Sequence, residues 1–212
     1  MSRPDPLTPL GAVVLGAAAG AVGTLAMDLL WYNRYRRDGG DSGFTDWEFS
    51  AGVESWDDAP APARFGKRVF KALFRRDLPP EKAGLVNNIM HWATGVGWGA
   101  AFGLLSGLVP TRRAWHGLVF GAGVWVQSYA VLVPAKLYKP PWEYDAVTLW
   151  KDLSAHLVYG LGTVTAFRAL AKPFARAAAL AAATPRPNRR PPRRLRRCVI
   201  QTDDLIAASA AS

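Results

Sequence analysis

Cysteine is nearly absent from this chain: Cys198 is the single one in 212 residues. That excludes an intramolecular disulfide framework and any cysteine-based metal centre. Histidine is scarce as well, with three in all. No GxSxG, HExxH or P-loop pattern occurs, so the familiar signatures of serine hydrolases, zinc peptidases and phosphate-binding loops are missing. Acidic residues are outnumbered, 16 against 26 Lys and Arg, giving a net charge of +10. In a soluble protein such an excess suggests nucleic acid. Here much of it flanks long apolar runs, so anionic lipid headgroups are the expected partner and nucleic acid is not.

What the chain has in quantity is small and apolar residues. The stretch from Val86 to Val109 runs for 24 residues without a formal charge, the length of a membrane-spanning helix. Within it, His91-x3-Gly95-x-Gly97-x3-Ala101-Phe102 matches His156-x3-Gly160-x-Gly162-x3-Ala166-Phe167 further on. Both copies follow a double proline with a glutamate nearby: Pro79, Pro80 and Glu81 before the first, Pro140, Pro141 and Glu143 before the second. This reads as an internal duplication. Gly95 to Gly107 resembles a nucleotide-binding run only superficially. It lies in a charge-free apolar helix with no strand before it, so close helix packing is the expectation.

In chain order, residues 1–7 are a polar lead with two prolines. The first span covers about 8–32 and reads as an uncleaved helix rather than a signal peptide, because the apolar run continues past Ala17–Ala19 to Trp31. Its Gly16-x3-Gly20 pair forms a small-residue face for another helix. Residues 33–85 carry 10 basic and 9 acidic residues and read as a solvated loop. Asp57 and Asp58 in it carry no catalytic pattern. Within the loop, 64–76 is a basic amphipathic helix with Phe65, Val69, Ala72 and Leu73 on one face. Arg64, Lys67, Arg68, Lys71 and Arg75 are then placed to bind lipid headgroups. The remaining spans are expected over about 86–109, 114–138 and 148–171, with Pro134 able to kink the third. Beyond Pro173, seven arginines between Arg186 and Arg197, interleaved with proline, predict a disordered tail over 173–212.

The expected fold is therefore all-α: a membrane domain over residues 8–172 with four transmembrane helices in two duplicated helix–loop–helix halves. Four spans put the N-terminus, the 110–113 turn and the tail on one side. The positive-inside rule does not choose between sides, because both are basic. The tight Arg112-Arg113 turn and the tail lean towards both termini inside.

Depth is more informative than charge. The second and fourth spans run the same way, and His91 and His156 both lie about 8 Å below one surface at 1.5 Å rise per residue. Asp28 is about one turn from the end of the first span, under that same surface. Asn87, Asn88 and Asp152 lie at or just above this depth. Asp28, Asn87, His91, Asp152 and His156 are thus the candidate polar cluster, since ionisable groups within a bilayer face the bundle or a wet cavity. Gly16, Gly20, Gly95, Gly97, Gly160 and Gly162 are the candidate packing residues. His116 belongs to the opposite surface.

The cluster admits several readings. The simplest is a non-enzymatic membrane role with the polar groups bonding helix to helix. Asp28 and the two histidines could instead relay protons or serve a small transporter, since histidine titrates near neutral pH. Two histidines and a carboxylate are also a metal ligand set, and two histidines at one depth suit a bis-histidine haem. No two of Asp28, His91 and His156 sit i, i+4 on one helix as a metal motif would, and no cofactor or metal is expected. Expected partners are the bilayer, its anionic headgroups and, as an option, a second copy of the chain.

The small-residue first helix ending in Met27-Asp28-Leu29, followed by the His-x3-Gly helix, resembles the YagU-like family of bacterial inner-membrane proteins over about residues 10–170. The resemblance implies a small helical protein of the bacterial inner membrane. It brings no catalytic residues with it.

Overall fold

The computed structural model describes residues 7–50, 53, 55–57, 59–106 and 113–183. All of its regular structure is helical. In chain order the helices are α1 (Pro9–Arg37), α2 (Phe44–Ser50), α3 (Ala61–Phe74), α4 (Ala83–Leu105), α5 (His116–Leu132) and α6 (Ala146–Ala183), with short 3-10 turns at Pro80–Lys82 and Pro141–Glu143.

Local chemistry sets the ends of these helices. The Thr8 hydroxyl accepts from Gly11 N at 3.1 Å, and Pro9 fills the first helical position, where no N–H is needed. The last turn of α1 holds Arg34, Arg36 and Arg37, cations that suit the negative end of the helix dipole. Gly39, at φ 95°, then turns the chain. Asp145 caps α6, its carboxylate accepting from the Thr148 backbone N–H at 2.9 Å and the Thr148 hydroxyl at 2.6 Å.

Several boundaries differ from those expected. α5 stops at Leu132 rather than running to Tyr138. Pro134 offers no N–H to continue the ladder, and Lys136 adopts a left-handed φ of 55° while the Leu137 and Tyr138 amides bond back to Leu132 O. Pro134 therefore ends this helix instead of kinking it. α6 does the reverse and continues past Pro173 to Ala183. The alanines that follow favour helix strongly enough to outweigh one lost backbone bond. Within 33–85 the helix expected over 64–76 corresponds to α3, three residues earlier at its start, whereas α2 was not expected in what read as solvated loop. Asp57 is exposed within it. Asp58, residues 107–109 of the expected second span, residues 110–112 of the expected turn and the Arg-rich segment from residue 184 onward lie outside the described residues.

The four long helices form a ring in the order α4, α1, α6, α5. Glycine makes the close contacts. Gly16 of α1 lies against Gly99 and Gly103 of α4, and a Cβ added at Gly20 would stand 2.9 Å from Gly99 Cα. Gly160 of α6 meets Gly117 and Gly121 of α5, and Gly23 of α1 meets Tyr159 and Thr163 of α6. Of the expected packing glycines, Gly16, Gly20, Gly95, Gly160 and Gly162 sit at such contacts, but Gly97 has nothing within 4 Å. At 100° per residue it lies about 200° round the helix from Gly95, on the outer side. Gly99 and Gly103 hold the close positions instead.

The fourth side of the ring, α4 against α5, is the loosest. At one end Phe102 and Phe120 close it with ring centroids 4.9 Å apart, backed by Phe167 at 5.5 Å from Phe102. At the other end, where α1 and α5 finish and α4 and α6 begin, the two helices leave space between them. α3 packs across α4 beside this end, with Gly66 against Val86 and Met90. Among the described helices, α1 is the one long and apolar enough to cross a membrane by length and composition alone. α5 has 17 residues, and α4 is diluted by Asn87, Asn88, His91 and its glycines.

Candidate functional site

The space between α4 and α5 is a cavity of about 630 Å³. Four helices and the α2–α3 segment contribute to its wall. Asp28 comes from α1, Glu48 from α2, His91 and Trp98 from α4, Gln127 and Ser128 from α5, and Asp152, His156 and Tyr159 from α6.

Asp28 is the most buried of the ionisable groups, with 5% of its side chain exposed. Its Oδ1 accepts from His91 Nε2 at 2.7 Å, a charge-assisted geometry whenever the imidazole is protonated. Its Oδ2 is buried and has no hydrogen-bond partner. An unmet buried acceptor of this kind costs about 1–3 kcal/mol, more for a charged group, so its retention calls for an explanation.

His156 lies on another wall of the same cavity. Its Nδ1 donates to the Asp152 carbonyl at 3.0 Å and stands 3.4 Å from Asp152 Oδ1. Nε2 has no partner among the described residues. With Nδ1 carrying the proton, a neutral ring keeps its Nε2 lone pair available. Asp152 Oδ2 in turn accepts from Trp125 Nε1 at 2.9 Å and from the Tyr129 hydroxyl at 3.3 Å. The two copies of the repeated motif thus share one cavity but have different partners: His91 pairs with a carboxylate across the bundle, His156 with a residue one turn back on its own helix.

Asp28, Asn87, His91, Asp152 and His156 all line the cavity. The candidates taken from the sequence omit Glu48. The Glu48 carboxylate accepts from Trp92 Nε1 at 2.7 Å and from Asn88 Nδ2 at 3.3 Å, and its backbone carbonyl also accepts from Asn88. α2 is pinned to α4 by these bonds and brings Trp47 and Glu48 to the cavity. The segment Phe44-Thr-Asp-Trp47-Glu48-Phe49, aromatic and acidic in a loop otherwise rich in charge, was the signal available.

Thr24 and Thr163 are also deeply buried, at 1% and 0% exposure. Their hydroxyls donate to carbonyls four residues back on their own helices, Gly20 O at 3.0 Å and Tyr159 O at 2.8 Å. They satisfy themselves within the helix. The Tyr159 hydroxyl donates across to Gly95 O at 2.7 Å, tying α6 to α4 at the floor of the cavity.

The proposed headgroup-binding set divides. Lys67 sits over the Trp56 ring at 4.7 Å, Arg68 donates to the Ala135 carbonyl, and Lys71 pairs with Asp77 at 2.9 Å. Arg64 and Arg75 are exposed, with no side-chain partner among the described residues. Three of the five are thus engaged within the molecule. Among the described residues no three His, Cys, Asp or Glu side chains converge as a metal-binding set. His91 Nε2, the atom a haem iron would take on that side, is occupied by Asp28.

Neither protein-family models, nor curated proteins, nor solved structures match this chain. The functional reading therefore rests on the geometry of the cavity.

Proposed function

We propose that α1, α4, α5 and α6 form a polytopic four-helix membrane domain, built from two related halves, that moves protons through the cavity between α4 and α5. The carrying observation is Asp28. A carboxylate with one oxygen on His91 and the other unpartnered, buried beside a cavity, is expensive to keep in a low-dielectric setting. Groups of this kind inside a bilayer mark ion and proton paths.

Support for the membrane setting comes from the outer surface of the ring. Val14, Ile89, Val119 and Val126 are 55–63% exposed and belong to three different helices. Such a girdle is costly in water and favourable in lipid. All close helix crossings use glycine, as expected where packing rather than water exclusion drives association. The buried hydroxyls of Thr24 and Thr163 are satisfied inside their own helices, which a bilayer demands. The resemblance to YagU-like proteins points to the bacterial inner membrane.

In this reading Asp28 and His91 exchange a proton along a 2.7 Å bond. His156, with a free Nε2 on the opposite wall, continues the path, and Asp152 orients it. Tests use the full chain in liposomes holding a pH-sensitive dye under an imposed membrane potential. Wild-type protein acidifies the lumen faster than empty vesicles do. Asp28→Asn removes that flux while the thermal melt stays near wild type. Flux equal to that of empty vesicles, or unchanged in Asp28→Asn, overturns the proposal in favour of a packing role for the Asp28–His91 bond.

A further inference from the structure

The lining of the cavity has a sign. The chain as a whole carries +10, yet the described residues around the cavity include three carboxylates, Asp28, Glu48 and Asp152, against the two imidazoles of His91 and His156, and neither lysine nor arginine. Nearby cations are engaged by the protein itself, Arg34 lying over the Trp31 ring at 4.8 Å. Arg34 also donates to the Lys151 carbonyl and to Ser154, and Lys67 covers Trp56. Between the carboxylates the wall is aromatic, with Trp47, Trp98 and Tyr138. Aromatic faces beside carboxylates attract cations twice, by charge and through the ring quadrupole.

The spacing selects the kind of cation. A bare metal ion needs several oxygen or nitrogen ligands converging on one point, and no such convergence of three occurs among the described residues. The carboxylates stand on separate helices around a space of about 630 Å³. That volume is typical of sites for organic molecules with an apolar body and a few fixed polar contacts. Asp28 Oδ2 adds a directional requirement. It is buried and lacks a donor on a residue that lines the cavity, so an occupant that reaches it gains by offering an N–H or O–H as well as positive charge.

We infer that the cavity is a binding site for a protonated amine on an aromatic or alkyl body, the ammonium donating to Asp28 and the body lying among the tryptophans. This rests on the reading above only in taking the same cavity as the functional site. An ammonium meets both needs, charge and a hydrogen for Oδ2, whereas a quaternary ammonium meets one.

The test uses the full chain in lipid nanodiscs, with empty nanodiscs as the partition control, and follows tryptophan fluorescence. The probes are 1-naphthylmethylammonium, its trimethylated quaternary form, 1-naphthylmethanol and 1-naphthoate. Saturable quenching is expected with the primary amine, at least tenfold weaker with the quaternary form and the alcohol, and absent with the carboxylate. Asp28→Asn should weaken the amine at least tenfold, and Glu48→Gln, which keeps the shape of the α2–α4 contact, severalfold. Equal affinity for amine and alcohol, binding of the carboxylate, or an Asp28→Asn protein that melts like wild type and binds the amine unchanged, overturns the inference. The two proposals fail separately. Proton flux that needs Asp28 without amine binding overturns this one alone. Selective amine binding without flux overturns only the proton path.

Discussion

At one end of the bundle Gly16 and Gly20 of α1 lie against Gly99 and Gly103 of α4, and Phe102, Phe120 and Phe167 fill what the backbones leave. At the other end, Asp28, Glu48, His91 and Asp152 surround open space. The same four helices make both. Where side chains are absent, helices touch backbone to backbone and polar groups have no room. Where α4 and α5 separate, the wall becomes polar and aromatic. The closed end fixes the angle at which the helices diverge, so the cavity depends on glycines far from it. A tight interface at one place is what permits a stable opening at another, because a packed core does not deform continuously.

The sharpest way to break this contrast is at the closed end. Gly20→Leu would force a side chain into the Gly95–Gly99 backbone of α4. Overpacking against backbone that cannot retreat should cost about 3 kcal/mol or more, seen as loss of folded protein in a thermal melt. Gly97→Ala, with nothing within 4 Å, should melt within about 0.5 kcal/mol of wild type. If both variants behave alike, the glycine contacts do not set the bundle.

At the open end, His91→Ala removes the donor on Asp28 Oδ1 and leaves both carboxylate oxygens without partners. The expected loss is about 1–3 kcal/mol, read from denaturant or thermal unfolding, and Asp28→Asn should cost less because a neutral amide is cheaper to bury. A melt unchanged in His91→Ala would show that water already serves Asp28 and that the site is wetter than its burial suggests.

Between the two ends, Tyr159→Phe deletes the bond to Gly95 O while keeping the ring. About 1 kcal/mol is expected, together with faster hydrogen exchange near Gly95. The smallest effect belongs to the helix cap outside the bundle. Two hydrogen bonds from Thr148 hold the Asp145 carboxyl below the usual carboxylate range. A depressed folded value means the cap helps in its ionised form, above the unfolded value. That help fades as pH falls below about 4 and through the folded value. Asp145→Ala should lower the melting temperature slightly at neutral pH and make no difference at the acid limit.

Part of this site was legible before any coordinates. Counting 1.5 Å per residue from the expected helix ends puts Asp28, His91 and His156 at one depth, and the structure brings all three to one cavity. Gly99 and Gly103 were also readable, since Gly95, Gly99 and Gly103 recur every four residues on one face. Matching the two motif copies drew attention to Gly97 instead, because shared spacing between repeats does not say which face is inward. Glu48 could not be placed, because its approach to Asn88 and Trp92 spans 40 and 44 residues and depends on how α2 folds back.

The sequence by itself determined that the chain is helical and roughly where its long helices run. Small-residue spacing, prolines and caps act within a few residues, and helices form from such local terms. It also determined that Asp28 and Asp152 bring acidic groups to the expected cluster, while Glu48 joins them only through the fold. Tertiary structure alone decided that α4 and α5 stand apart at one end, that His91 faces Asp28 while His156 faces its own helix, and that α2 brings Trp47 and Glu48 to the cavity wall. Those outcomes depend on which glycine meets which backbone across the bundle, and contacts between residues far apart in the chain leave no local pattern to read.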